Sequence, residues 1–140
     1  MSDEAPEGFE LFTRSSPLID PWRPLYMQRQ SDRMVLGLHL REPHTNSRAT
    51  AHGGLIAALA DQAMGMSCGV KLHAEGVAIS NLWTTSLAIE YLGVTKLGQW
   101  LAFDTTFARV GKTFCYAECN VTADGETIAR AHANFRVTLA

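Results

Sequence analysis

The stretch NSRATAHGGLIAALADQAMG, residues 46–65, decides the fold of this chain. A histidine and two glycines at 52–54 stand directly before a run of apolar residues, which a single aspartate, Asp61, interrupts. A helix that has no polar stripe is buried on all sides. The pattern therefore predicts a central buried helix over about 53–68, with Gly69 as its C-terminal stop.

Runs in which apolar and polar residues alternate predict strands on both sides of this helix. The predicted strands cover residues 24–30, 33–40, 77–91, 99–109, 112–122 and 126–139. Small residues on one face of the last strand, from Thr127 through Ala133 to Val137, leave room for a helix to lie close to the sheet. This order predicts an α+β fold in which an antiparallel β-sheet wraps one long central helix. Residues 1–140 are expected to form one domain, with 1–20 as an N-terminal extension.

The composition is that of an ordinary globular domain. The chain has 140 residues, of which 46% are hydrophobic and 19% charged, and its net charge of −2 gives no attraction to nucleic acid. The N-terminal MSDEAPEGFE is acidic, which is not typical of a signal peptide. No apolar run is long enough to cross a membrane. We therefore expect a cytoplasmic protein that binds neither nucleic acid nor membranes.

The histidines are not spaced as metal ligands, and the cysteines fall where packing is expected. The five histidines form no HxH or HExxH pattern. The cysteines Cys68, Cys115 and Cys119 fall inside a predicted helix and a predicted strand, where packing is a more ordinary role than catalysis. We expect reduced thiols, no metal and no cofactor.

Asp61 needs a partner or a purpose, because an unpaired buried carboxylate costs several kcal/mol. The spacing alone leaves open whether it is hydrogen-bonded for stability or serves chemistry. Gly53 and Gly54 at the helix start expose N–H groups to a ligand, or else form a tight junction between loop and helix. Together with His52, these residues suggest an acyl-transfer site, with amides for an oxyanion and a carboxylate for a water or an acyl carbon.

The spacing also predicts an oligomer. Asp61 lies eight residues beyond Gly53, which is about 12 Å along a helix axis. Catalytic groups have to converge within about 3 Å of the reacting atoms. One helix cannot bring both groups to one carbonyl, whereas two antiparallel copies can. We therefore predict a homodimer with two shared sites.

Three elements of the sequence resemble the hotdog-fold acyl-CoA thioesterases, specifically the PaaI-like (phenylacetate-pathway) group. Asn46, His-Gly-Gly at 52–54 and Asp61 match that family in order and spacing. TTSLAIEYLG at 84–93 resembles its Thr/Ser-containing strand, and RVGK at 109–112 resembles its Arg-x-Gly-Arg/Lys turn. The resemblance covers roughly residues 33–137. The chain departs from the family at Ala49, where glycine is frequent, and in YLGVTKLG, which lacks a common proline.

The resemblance implies catalytic roles for the matched residues. The Gly53 amide would polarise the thioester carbonyl, with Gly54 beside it as a substrate contact. Asp61 of the partner subunit would be the general base for water or, alternatively, the nucleophile. Asn46 and His52 would orient the thioester and its leaving sulfur.

Further positions are implied downstream. Thr84 would hold the attacking water, with Thr85 and Ser86 as alternatives. The turn formed by Arg109, Gly111 and Lys112 would contact the phosphates of coenzyme A, which enters only as part of the substrate.

The sequence therefore predicts a homodimeric acyl-CoA thioesterase that assembles further into a homotetramer. Two alternatives stay open. His52 and Asp61 could serve an acyl-thioester hydratase or dehydratase of the same fold, or the chain could bind acyl-CoA without chemistry. Trp83, Tyr91 and Phe103 indicate room for aromatic or medium-chain acyl groups. The sequence does not choose among acyl groups, or between coenzyme A and a carrier protein.

Overall fold

A single antiparallel sheet of seven strands wraps one long helix in the computed structural model, which describes residues 4–140. The strands are β1 (Glu10–Leu11), β2 (Tyr26–Arg29), β3 (Met34–His39), β4 (Ile79–Tyr91), β5 (Trp100–Val110), β6 (Phe114–Ala123) and β7 (Glu126–Leu139), and the helix is α1 (Gly53–Ala74). Their order in the sheet is β1-β2-β3-β5-β6-β7-β4. Short 3-10 turns occupy Asp20–Trp22 and Glu42–His44. The predicted α+β architecture is confirmed.

The helix is longer than the sequence predicted. It has 22 residues and ends at Ala74, so the predicted stop at Gly69 is wrong. Gly69 is an ordinary helical residue, and a side chain added there would meet nothing within 4 Å. The left-handed residue that ends the helix is Gly76, at φ +76°. A glycine can mark the end of a helix or a place where its surface is open, and the sequence does not distinguish the two.

The core lies between α1 and strands β5, β6 and β7. Ala117, Ala129 and Ala133 are fully buried on the inner face of the sheet, as the small-residue pattern predicted. The three cysteines are also buried and unbridged, which confirms the prediction that they pack. Thr127 does not belong to this face. A bulge next to Val121 shifts the register, so Thr127 is exposed and its neighbour Ile128 is buried.

The N-terminal residues pack against this core. β1 pairs with β2, and Phe12 and Ile19 are both buried in the main hydrophobic cluster. Arg23 donates to the carbonyl oxygens of Phe12 and Arg14, which fastens the segment before β2. These contacts place the first strand and the turn after it inside the sheet and its core.

One face of α1 stays uncovered by the sheet. Residues on that face are half-buried, whereas the rest of the middle of the helix is buried. The uncovered residues recur at helical spacing: Ala57, Ala58, Asp61, Gln62, Gly65, Met66, Gly69 and Val70. A single chain therefore buries most of the helix but leaves one stripe open.

The last strand in the sheet order, β4, is an edge strand with 13 residues. It pairs with β7 on one side only, and its register is interrupted between Ile79 and Asn81 and again between Thr84 and Ser86. Large apolar side chains on it are exposed, Trp83 at 45% and Tyr91 at 51%. No helix among residues 4–140 has the length and apolar character that crossing a bilayer requires.

Candidate active site

The carboxylate of Asp61 is hydrogen-bonded to a threonine of the edge strand. Asp61 projects from the open stripe of α1, and the Oγ1 hydroxyl of Thr84 donates to its Oδ1 at 2.5 Å. The bulge of β4 directly follows Thr84 in the chain. Of the three hydroxyls that the sequence proposed, the structure brings Thr84 to Asp61.

The two neighbouring hydroxyls face other partners. Thr85 donates to the main-chain carbonyl of Asn134 at 3.2 Å, and Ser86 accepts from the Asn134 side-chain amide at 2.7 Å. Neither residue lines the cavity that contains Asp61. The bulge after Thr84 changes the alternation of β4 and so separates these side chains from it.

Asp61 and Thr84 open onto a groove of about 640 Å³, here called the α1 groove. Its floor is the open stripe of the helix, where Gly65 and Gly69 have no side chains to fill it. Its walls come from both edges of the sheet. The lining residues are Arg14, Arg29, Met34, Asp61, Gln62, Gly65, Met66, Gly69, Val70, His73, Ile79, Ser80, Asn81, Leu82, Thr84 and Phe135.

The start of α1 presents a free amide at Gly53. His52 caps the helix, and its Nδ1 accepts a hydrogen bond from the Gly54 N–H at 2.8 Å. Ile56 makes the first helical bond, to the His52 carbonyl. Within residues 4–140 the Gly53 N–H has no hydrogen-bond partner. The helix dipole adds partial positive charge at this point, so Gly53 offers an anion or a carbonyl oxygen a donor.

Tyr91, one of the aromatic residues that the sequence connects with the acyl group, holds this helix start. Its hydroxyl donates to the Gly53 carbonyl at 2.6 Å. Partial burial raises the pKa of Tyr91, so the hydroxyl stays protonated and able to donate. A side chain added at Gly53 would lie 3.2 Å from the Tyr91 oxygen. The signal for this contact is weak, because the two residues lie 38 positions apart in the chain.

The loop before the helix is shaped by Asn46. Its Oδ1 accepts from the Arg48 N–H at 2.9 Å and from the Thr50 hydroxyl at 3.1 Å. This loop puts Ala49 at φ +60°, the left-handed region that glycine favours. The frequent glycine of the resembling family is therefore explained by backbone geometry. Because Oδ1 is used by the loop, only the side-chain NH₂ of Asn46 remains for a substrate.

A buried histidine fixes the same loop, and sequence reasoning missed it. His44 is 1% exposed, its Nδ1 accepts from the Arg41 N–H, and its Nε2 lies 2.8 Å from the Trp22 carbonyl oxygen. Since Nδ1 accepts, the proton lies on Nε2. Burial lowers the pKa of His44. Its own carbonyl accepts from the His52 N–H at 2.9 Å, which links it to the helix cap.

The predicted catalytic residues fall into two separate groups in one chain. Asp61 and Thr84 lie in the α1 groove, whereas His52, Gly53 and Asn46 do not line it. The helix between Gly53 and Asp61 is continuous, which keeps the two groups about 12 Å apart along its axis. The structure confirms the helical spacing on which the dimer prediction rests.

The predicted coenzyme A contacts lie elsewhere on the chain. Arg109 and Lys112 are exposed around the turn between β5 and β6. Arg109 lines a separate depression of about 310 Å³ with Lys71 and Glu75 of α1. Gly111 is at a tight point, since an added side chain would lie 3.1 Å from the Phe114 carbonyl. One chain does not bring these residues to Asp61.

The predicted aromatic contacts do not line the α1 groove either. Phe103 is fully buried in the core, and Trp83 is exposed on the edge strand. Phe135, at the end of the groove near Gly65, is the aromatic residue that lines it. Period-2 alternation does not identify which face of a bulged strand carries a ring, so the sequence left open which aromatic residue lines a pocket.

Comparison with known proteins identifies the family. A model of the thioesterase superfamily matches residues 49–129, more than half of the chain. The chain belongs to the thioesterase superfamily. This chain is 30% identical over 133 residues to PA0474 of Pseudomonas aeruginosa, which is described as an inferred esterase. The match covers 94% of this chain and 96% of that protein. It is 28% identical over 103 residues to acyl-coenzyme A thioesterase 13 of Mus musculus, with 71% and 69% covered.

Solved structures share the fold of this superfamily member. The PaaI phenylacetic acid degradation protein of Thermus thermophilus aligns with a TM-score of 0.71 at 18% identity, covering 89% of this chain and all of its own (100%). A hypothetical thioesterase of Streptococcus pneumoniae, solved with coenzyme A, aligns with a TM-score of 0.66 at 24% identity, covering 82% and 86%. The predicted hotdog fold is confirmed.

Proposed function

We propose that this chain is an acyl-CoA thioesterase whose active site is formed by two copies. The observation that supports this most strongly is the pairing of Asp61 with Thr84 at one end of a groove, on the same helix whose start offers the free Gly53 N–H. A carboxylate base and an oxyanion donor are the two groups that thioester hydrolysis needs. The names of the relatives, which include acyl-coenzyme A thioesterases, support the same reaction.

In the proposed reaction, Asp61 of one copy takes a proton from a water held by the carboxylate and the Thr84 hydroxyl. The water oxygen attacks the thioester carbonyl carbon, and the negative charge on the carbonyl oxygen is stabilised by the Gly53 N–H of the other copy. The tetrahedral intermediate then collapses, the carbon–sulfur bond breaks, and the thiolate takes up the proton. The products are a carboxylate and free coenzyme A.

A homodimer built through the β4 edge would complete this site. An exposed edge strand with 13 residues and apolar side chains is a surface that natural proteins cover. Pairing of two β4 strands around a two-fold axis would make the two copies of α1 antiparallel. The helix start of one copy can then face Asp61 of the other, which the 12 Å separation within one chain prevents. Arg109, Gly111 and Lys112 would contact coenzyme A from a neighbouring copy, in the dimer or in a tetramer of dimers.

The assignment is tested by hydrolysis of a panel of phenylacetyl-, benzoyl- and straight-chain acyl-CoA thioesters, with free thiol detected. Asp61→Asn keeps the shape of the side chain but removes the base, so we expect kcat to fall by about 10²- to 10⁴-fold. Asp32→Asn, at an exposed aspartate of the β2–β3 turn, serves as the matched control and should leave kcat unchanged.

Unchanged turnover in Asp61→Asn would contradict the mechanism. Absence of thiol release from every substrate, together with water addition to an unsaturated acyl-CoA, would instead assign the chain to the hydratases. Binding of acyl-CoA by the wild-type protein without either reaction would leave the non-catalytic alternative.

A further inference from the structure

The α1 groove continues well beyond the reacting groups. From Asp61 it follows the helix past Gly65 and Gly69 as far as His73. His73 lies twelve positions beyond Asp61, which corresponds to about 18 Å along the helix axis. Thioester hydrolysis at Asp61 uses only one end of this groove, so the remainder is available to another part of the substrate.

Two arginines at this groove lack partners. Arg14 and Arg29 both line it, and within residues 4–140 neither guanidinium forms an ion pair or a hydrogen bond. By contrast, Arg23 is paired with Asp20, and Arg33 is paired with Asp104. Of the residues in the described range 4–140 that line the groove, Asp61 alone is acidic. Beyond Asp61, the groove therefore carries the positive charges of Arg14 and Arg29, and no acidic side chain that lines it there balances them.

The position of Arg29 along the groove follows from the sheet. Arg29 pairs with Met34 across β2 and β3. The Met34 N–H donates to the Ser67 hydroxyl of α1 at 3.1 Å. Ser67 is six residues beyond Asp61, so Arg29 lies at a level about 9 Å further along the helix axis. The end of the groove that contains Arg29 is thus separated from the Asp61 carboxylate by about the length of a short acyl chain.

We propose that this end of the α1 groove binds an anionic group of the thioester substrate through Arg14 and Arg29. Arginine binds carboxylates and phosphates through paired N–H donors. A guanidinium without an ion-pair partner can therefore bind either anion. The anion is either a carboxylate at the far end of the acyl chain or a phosphate of coenzyme A. The proposal rests on the thioesterase function proposed above, because that function places the thioester carbonyl at Asp61.

The test measures affinity rather than turnover, so that it does not depend on hydrolysis. The Asp61→Asn protein and the same protein carrying Arg14→Gln and Arg29→Gln are titrated calorimetrically with two substrate series. One series consists of ω-carboxyacyl-CoA thioesters of increasing chain length, and the other of methyl-terminated acyl-CoA thioesters of the same lengths. Removal of charge-assisted hydrogen bonds is expected to weaken binding of the anion by about 10- to 100-fold.

The two sources of the anion give different results. A loss confined to the ω-carboxyacyl series, largest at one chain length, supports the proposal with the acyl carboxylate as the ligand. An equal loss in both series and for free coenzyme A supports it with a phosphate as the ligand. Arg130→Gln, at an exposed arginine between buried Ala129 and Ala131 on β7, is the matched control and should change neither series.

Unchanged affinity in both series would overturn the proposal, and thiol release by the wild-type protein would then leave the proposed function standing. A changed oligomeric state with unchanged affinity, measured by analytical ultracentrifugation, would also overturn it by assigning the arginines to a subunit interface. Anion-dependent binding by a wild-type protein that releases no thiol would contradict the proposed function instead.

Discussion

At the scale of single residues, the amide of Gly53 carries the proposed oxyanion contact. Within residues 4–140 its N–H has no partner, because the first residue of a helix has no carbonyl four residues before it to bind and the His52 side chain caps the Gly54 N–H instead. The Tyr91 hydroxyl holds the Gly53 carbonyl. A backbone donor of this kind is fixed by the helix and needs no reorganisation during the reaction. In this proposal the functional group is the peptide itself, and glycine leaves space around it.

Proline at position 53 tests that contact directly. Proline is well tolerated at the first position of a helix, and His52 has the extended conformation that precedes proline, with φ −64° and ψ 131°. We expect Gly53→Pro to fold but to lose about 10²- to 10³-fold in kcat, because the donor is gone. Gly53→Ala adds the same Cβ near Tyr91 but keeps the N–H. Equal losses in both variants would assign the effect to crowding instead of hydrogen bonding.

His44 gives the fold a pH dependence. Burial lowers the pKa of His44 in the folded chain, so the unfolded chain binds a proton that the folded chain excludes. Stability from this residue is present above the unfolded value of about 6.5 and is lost as the pH falls below it. We expect a lower free energy of unfolding by urea at about pH 5.5 than at about pH 7.5.

The variant His44→Gln should be less stable at about pH 7.5 and should lose much of this pH dependence. His132→Gln, at an exposed histidine on β7, is the control and should retain the dependence. A wild-type stability that is flat across this range would contradict the role assigned to His44.

At the scale of secondary-structure elements, the helix and the edge strand together build the α1 groove. The apolar pattern predicted the helix and its start, because both follow from local sequence. The length of α1 and the bulges of β4 could not be predicted from the local sequence. Gly69 resembled a helix end, and the bulge after Thr84 depends on pairing with β7, which lies some 50 residues away in the chain. The groove results from those non-local features.

Filling the groove from the helix should change substrate length preference. A Cβ at position 69 meets no atom within 4 Å, and leucine favours helix over glycine by about 1 kcal/mol. We therefore expect Gly69→Leu to fold normally and to lower kcat/KM for long acyl chains by at least about 10-fold. Turnover of acetyl-CoA should be nearly unchanged, and Gly69→Ala should resemble the wild type. This expectation takes the acyl chain to run along the α1 groove. A uniform loss for all chain lengths would contradict that path and indicate coenzyme A in this part of the groove instead.

At the scale of the whole molecule, one chain keeps the two groups of proposed catalytic residues apart. The distance between Gly53 and Asp61, on which the proposed dimer rests, could be predicted from the sequence, since eight residues of helix fix it. The arginines of the groove could not be predicted in the same way. Arg14 and Arg29 reach the groove only because the sheet curves around α1 and brings its β1–β3 edge opposite β4. Sheet curvature of this kind is not encoded in local alternation.

Complementation between two inactive variants tests the shared site most directly. Asp61→Asn lacks the base, and Gly53→Pro lacks the oxyanion donor. In a mixed dimer, one site carries both defects and the other carries neither. Random mixing makes half of the dimers mixed, so we expect thiol release at about a quarter of the wild-type rate from two nearly inactive proteins.

The measurement is thiol release from the coexpressed pair, with each variant alone and the Asp61→Asn, Gly53→Pro double variant as controls. Recovery to about a quarter of the wild-type rate, absent from the double variant mixed with either single variant, is the result we predict. No recovery, in mixed dimers shown by native mass spectrometry to have formed, would contradict an active site made by two copies of the chain.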